Sequence, residues 1–158
     1  MKYNCFEEVP VWRGAIELAV LIFELTSQPA FRGYYSVKDQ LERAGVSISN
    51  NIAEGFERGT TQETLTFLYI SKGSAGEVRS LTYLLERLRA FDNLKSKILN
   101  LRSRSASISR QLYGWCSSLQ NTDIKGPRYL TDKSRRLDKA KRDREEFLKE
   151  LEAMRSKI

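Results

Sequence analysis

The sequence predicts an all-α fold: an antiparallel up-down four-helix bundle with an additional charged C-terminal helix. Three observations predict it. Apolar residues recur three and four apart through four successive long stretches, as on one face of a helix. Only three prolines and nine glycines interrupt 158 residues. No stretch of useful length alternates apolar and polar residues as a half-buried strand would. The expected organisation is a bundle over residues 1–125, then a linker and charged helix over 126–158.

Residues 10 to 27 read as the first helix. Pro10 suits the first turn, where its missing N–H costs nothing. Val11, Ala15, Leu18, Ile22 and Leu25 form one apolar face, and SQPAFRG breaks the pattern at Pro29 and Gly33. Residues 34 to 58 read as the second helix, with Val37, Leu41, Ala44, Ile48, Ile52 or Asn51, and Gly55 on its stripe. Thr60 and Glu63 match a capping box, so a third helix should start there and run to about Ala90. Leu68, Ser71, Ala75, Val78, Leu81, Leu85 and Leu88 mark its buried side. Asp92 in the FDN break is a candidate cap. The fourth helix, about 93 to 121, carries Leu94, Ile98, Leu101, Ser105, Ile108, Leu112, Trp115 and Leu119 as a bundle seam. NTDIKGPRYLT reads as a linker. From Arg128 onward, 11 basic and 7 acidic residues surround a narrow stripe that includes Leu137, Phe147, Leu151 and Met154. This segment reads as a charged amphipathic helix.

The N-terminus lacks the apolar run and cleavage site of an export signal, and no apolar run is long enough for a membrane span. The expectation is a cytoplasmic protein with no membrane partner, in which Cys5 and Cys116 are reduced thiols. There is no histidine. That excludes a Ser-His-Asp triad, a Cys-His pair and any His-ligated metal. Glu54, Glu57, Glu63 and Glu77 are the carboxylates that could gather a metal, and capping and interhelical hydrogen bonds account for Glu63, Glu54 and Glu77 without one. GFERGTT misses phosphate-loop spacing by one residue and lacks the lysine. Trp12, Tyr69, Tyr83 and Trp115 lie on or beside apolar stripes, where packing explains them better than base stacking. No catalytic residue, metal or cofactor is expected, and the chain is read as not an enzyme.

SISNNIAEGFERG, residues 47–59, puts small and polar groups where a helix should bury its face. SKGSAGE, residues 71–77, is its counterpart on the third helix. Ser47, Asn50, Asn51 and Glu54 are expected to meet Ser74 and Glu77 as an interhelical polar seam, with the glycines allowing close approach. Net charge is +7, which favours an anionic partner. Eight cations, Arg79, Arg87, Arg89, Lys95, Lys97, Arg102, Arg104 and Arg110, face only two acids, Glu86 and Asp92, within the same stretch. They are the candidate contacts to RNA or DNA phosphates. Trp12, Phe23, Phe67 and Tyr83 add apolar surface beyond the seams and point to a homo-oligomer.

VWRGAIELAVLIFELT and LERAGVSISNNIAEGFERGTTQETLTFLYISKGSAGEVRSLTYLL strongly resemble a family of small bacterial four-helix bundle proteins. Its first members were found encoded in intervening sequences of large-subunit ribosomal RNA genes. Related proteins are the accessory variability proteins of diversity-generating retroelements. The resemblance spans roughly residues 6 to 120. Ser47, Asn51, Ile52, Ala53, Glu54 and Gly55 carry its most specific part, and Gly73 to Glu77 support it. It implies a ring-like homopentamer, and the retroelement relatives are basic, bind nucleic acid and join a reverse transcriptase. The expected function is a non-enzymatic, oligomeric nucleic-acid-binding accessory protein, with a reverse transcriptase as a candidate partner. The alternative is a protein-interaction scaffold without a nucleic-acid role, docked through its tail helix.

Overall fold

A computed structural model describes residues 3–121 and, beyond them, residues 140, 143, 144, 146–149 and 154. The chain divides into two units, Met1–Gly126 and Pro127–Ile158. The linker and the continuous charged helix expected after residue 121 fall largely outside the described residues.

Four long helices, α1 (Pro10–Thr26), α2 (Tyr35–Glu57), α3 (Thr61–Arg87) and α4 (Lys95–Gln120), are joined by short links. Among the described residues there is no β-strand. None of these helices is long and apolar enough to cross a membrane. α2 packs on α1 and α3, and α4 packs on α3 and α1. Each helix therefore buries its stripe against two neighbours. Pro10 opens α1 as the sequence implies. Thr60 caps α3: its Oγ1 accepts the Glu63 N–H at 3.2 Å and donates to the Glu63 carboxylate at 2.5 Å. Gly59 precedes it at φ 79°, a conformation in which a side chain would be strained.

Asp92 does not cap α4. It lies in a 3-10 turn, Arg89–Leu94, and accepts from Lys95 Nζ at 2.9 Å. That turn also plugs one end of the bundle. Phe91 is fully buried, with Phe31 at 4.7 Å and Tyr34 at 5.2 Å between ring centroids, both edge-on. The α1–α2 and α3–α4 links are thereby pinned together.

The buried stripe of α1 is the expected one. In α3 the buried position is Thr82 and not Leu81; in α4 it is Cys116 and not Trp115, which is half-buried. In α4 the reason is helical drift. Strict alternation of fours and threes gives 3.5 residues per turn, whereas a straight helix needs 3.6. An extra step of four, Leu112 to Cys116, restores the face. In α3 the expected stripe puts two steps of three in succession, Ala75 to Val78 to Leu81, whereas the buried face keeps the alternation and goes from Val78 to Thr82.

Candidate functional site

The SISNNIAEG stretch packs against α3 through hydroxyls and carbonyls. Ser47 Oγ and Ser74 Oγ lie 2.9 Å apart. Asn51 Nδ2 donates to the Ser47 carbonyl at 2.7 Å and to Ser47 Oγ at 2.9 Å. Ser71 Oγ donates to the Ile48 carbonyl at 2.8 Å, and Thr64 Oγ1 to the Gly55 carbonyl at 2.8 Å. These bonds satisfy buried side chains on α3 while tying them to the backbone of α2. Gly55 is what permits the approach. A Cβ there would lie 2.7 Å from Phe67 Cβ and 3.3 Å from the Thr64 carbonyl oxygen. Glu77 meets Gln40, which accounts for its place on the seam.

Asn50 and Glu54 do not join this seam. Both are exposed, and Glu54 pairs with Arg58 at 2.5 Å along its own helix. At about 100° per residue, Asn51 turns roughly 40° from Ser47 toward the core, whereas Asn50 turns roughly 60° away. Gly73 and Gly76 also depart from expectation. A Cβ at either would meet nothing within 4 Å among the described residues, so neither glycine is needed for packing against them. A close contact that the sequence reading missed is Gly45, where a Cβ would sit 2.6 Å from Ile22 Cδ1. The AGVS run in α2 was its only signal. Glu63 is held in the capping box, and among the described residues no three Asp, Glu or Cys side chains gather as metal ligands would.

The eight candidate cations separate into three groups. Arg102 is committed to structure. Its Nε donates to Thr82 Oγ1 at 3.2 Å, and its Nη2 to the Thr82 carbonyl at 3.0 Å and to Glu86 at 2.7 Å. The guanidinium centre lies 3.8 Å from the Tyr83 ring centroid, a cation–π contact. With its side chain 16% exposed, Arg102 bridges α3 and α4 and is not an open phosphate contact. The position one residue after Leu101 hid this, because its partners lie sixteen and twenty residues away.

Lys95 and Arg104 form surface pairs, with Asp92 at 2.9 Å and Glu17 at 3.0 Å. The Asp92 hydrogen bond raises the Lys95 pKa, keeping it charged. Such exposed pairs contribute little to stability and exchange readily for other anions. The remaining five, Arg79, Arg87, Arg89, Lys97 and Arg110, form no ion pair among the described residues. Arg87 donates to the Tyr83 carbonyl at 2.8 Å, while Arg89, Lys97 and Arg110 are exposed and Arg79 is half-buried. α4 itself carries five basic residues and no acidic one. Arg87 ends α3, Arg89 lies in the following turn and Lys97 begins α4, so three of the unpaired cations cluster around one link.

The sequence model of a family described as 23S rRNA-intervening sequence protein matches residues 7–114. Among solved structures, a protein of unknown function from the S23 ribosomal protein family of Bacteroides thetaiotaomicron is similar in fold, with a TM-score of 0.60 at 22% identity. The similarity covers 67% of this chain and 97% of that one. No curated protein matches the chain.

Proposed function

We propose that this chain, which belongs to the 23S rRNA-intervening sequence protein family, is a non-enzymatic accessory protein that binds nucleic acid through phosphates. The observation that carries the reading is the group of exposed cations without ion-pair partners around the α3–α4 link. α4 has no acid of its own, and Arg87, Arg89 and Lys97 cluster without ion-pair partners among the described residues. Long cationic side chains on a helix surface meet phosphates more readily than base edges, so the binding is sequence-tolerant. The resemblance to accessory variability proteins extends this to a homopentamer that joins a reverse transcriptase in a diversity-generating retroelement. A cyclic assembly repeats the patch, and weak contacts then add by avidity.

The helices are read as running up-down-up-down. Supporting this, Ser47 meets Ser74 while Gly55 meets Thr64, so sequence positions on α2 and α3 approach each other toward their link. The meeting of the α1–α2 link, which holds a 3-10 turn at Pro29–Phe31, with the Arg89–Leu94 turn through Phe31 and Phe91 fits the same arrangement.

The test is fluorescence anisotropy with a labelled single-stranded RNA across a salt series. The parent should bind with a steep salt dependence. R87E/R89E/K97E should bind more weakly, with the logarithmic salt slope reduced by about two units per engaged subunit, at about 0.7 per lost contact. Equal affinity and slope for parent and variant would remove this patch from the binding surface. Salt-independent binding by the parent, or none, would reject the phosphate reading altogether.

A further inference from the structure

The α1–α2 link holds a cation that no sequence pattern singles out. Pro29 opens the 3-10 turn Pro29–Phe31, and Phe31 is buried against Phe91 of the α3–α4 link. Sinking that ring leaves the next residue, Arg32, at the surface, where it is exposed and forms no ion pair among the described residues. The same contact brings in Arg89, two residues before Phe91, with Arg87 and Lys97 flanking its turn. Four cations outside any ion pair, drawn from two links far apart in sequence, therefore stand at one end of the bundle.

The acids near them are mostly engaged. Glu42 accepts from Thr26 and pairs with Lys38 at 3.8 Å, Asp39 pairs with Arg43, Asp92 with Lys95 and Glu86 with Arg102. Glu24, close to the end of α1, forms no ion pair among the described residues. The far end has the opposite character. α1 begins after Glu8 and α2 ends at Glu57, and Glu7, Glu8 and Glu57 are exposed and in no ion pair among the described residues.

What lies beside Arg32 decides which anion fits. Arg32, Lys38, Ser27 and Tyr35 border an open hollow of about 140 Å³. It is roomy enough for several waters, or for a phosphate that displaces them. Tyr35, the first residue of α2, is 70% exposed, so core packing does not account for it. Tyr69, Tyr83 and Tyr113 are exposed too, but Gln120, Arg102 and Lys72 engage them. A duplex keeps its base faces stacked on one another and shows this end only phosphates. An unpaired strand brings phosphates for the cations and an open base face for the ring.

We propose that this end of the bundle is a subsite for single-stranded nucleic acid. Tyr35 stacks on an unpaired base, Arg32 and Lys38 hold the neighbouring phosphate, and Arg89, Arg87 and Lys97 continue the track across the end. This rests on the nucleic-acid reading above and narrows it, adding a base-stacking contact on the α1–α2 link to the phosphate contacts of the α3–α4 link.

The experiment uses the full chain with a labelled oligouridine and a duplex of matched length, in anisotropy titrations across a salt series. Y35A should weaken single-strand binding at least about fivefold, the effect of losing one stacked base, with an unchanged salt slope because a stack releases no counterions. Y35F keeps the ring and should bind like the parent. R32A should lower the logarithmic slope by about 0.7 per engaged subunit. Both positions are exposed, so helicity by circular dichroism should stay parental. Duplex binding should not respond to Y35A. Unchanged single-strand affinity in Y35A, or an unchanged slope in R32A, would overturn the subsite while leaving the α3–α4 patch to be judged by R87E/R89E/K97E. Equal losses on strand and duplex in Y35A would also overturn it. A parent that binds no RNA would overturn both readings.

Discussion

Two kinds of glycine in this chain should respond to alanine with opposite sign. Gly55 is buried, and a Cβ there falls 2.7 Å from Phe67 Cβ and 3.3 Å from the Thr64 carbonyl oxygen. Neither atom is the free end of a flexible side chain, so α2 and α3 must separate. Overpacking of this kind costs about 1–3 kcal/mol. Separation also strains the 2.8 Å bond from Thr64 Oγ1 to the Gly55 carbonyl, itself worth about 1 kcal/mol. Against this stands a helix-propensity gain of about 0.5–1 kcal/mol. Gly55→Ala should therefore lose about 1–2 kcal/mol net. Gly73 and Gly76 keep the propensity term alone, because a Cβ at either meets nothing within 4 Å. Gly73→Ala and Gly76→Ala should each gain about 0.5–1 kcal/mol, or about 2–3 °C in Tm for a chain of this length.

Urea denaturation followed by far-UV circular dichroism measures both effects. Parental stability for Gly55→Ala would show that α2 and α3 do not lie this close. Destabilisation by Gly73→Ala or Gly76→Ala, or a change of mass by light scattering, would mean that another molecule occupies the room beside them.

Arg102→Ala should cost about 1.5–3 kcal/mol, the range for hydrogen bonds to a charged group, because it removes the bridge from α4 to Thr82 and Glu86. A melting curve like the parent's would show the bridge to be dispensable and return Arg102 to the candidate phosphate contacts. Burial pushes the Cys116 thiol above its ordinary pKa, so at neutral pH a thiol reagent should label half-buried Cys5 first and reach Cys116 only on unfolding. Stability drawn from keeping Cys116 protonated is full below the unfolded thiol pKa, about 8.5, and is lost as pH rises through the raised folded value. Fast labelling of both thiols in the folded chain would contradict the burial.

The helices were legible because each element's signal is local. Pro10 and the Thr60–Glu63 box mark starts, and Gly33 and Gly59, both at positive φ, mark the breaks. The stripe of α4 was legible until Cys116, where regular spacing and helical pitch part company, and that of α3 until Thr82, where the polar threonine and not the apolar Leu81 takes the buried position. Asp92 shows a different limit. An Asp before a helix satisfies the rule for a cap, yet the chain makes a 3-10 turn there because Phe91 is drawn into the aromatic plug with Phe31 and Tyr34. That plug joins residues sixty apart, and no local pattern announces it. The polar seam was half legible for the same reason. Spacing of three and four defines a stripe about a third of a turn wide, and it did not separate Asn51, inside, from Asn50, outside.

Charge was the least local property, and here the structure changes the argument most. Composition gives α4 five cations, and their positions beside the seam made them look equivalent. Their partners lie elsewhere in the chain: Thr82 and Glu86 for Arg102, and Glu17 of α1 for Arg104, 87 residues away. A cation held by three hydrogen bonds and an aromatic face gives up more than a phosphate returns. A cation in an exposed pair gives up almost nothing. On the proposed nucleic-acid reading, the candidate phosphate contacts are what remains after the bridging arginine is subtracted: Arg79, Arg87, Arg89, Lys97 and Arg110, with Lys95 and Arg104 recruited as Asp92 and Glu17 are released.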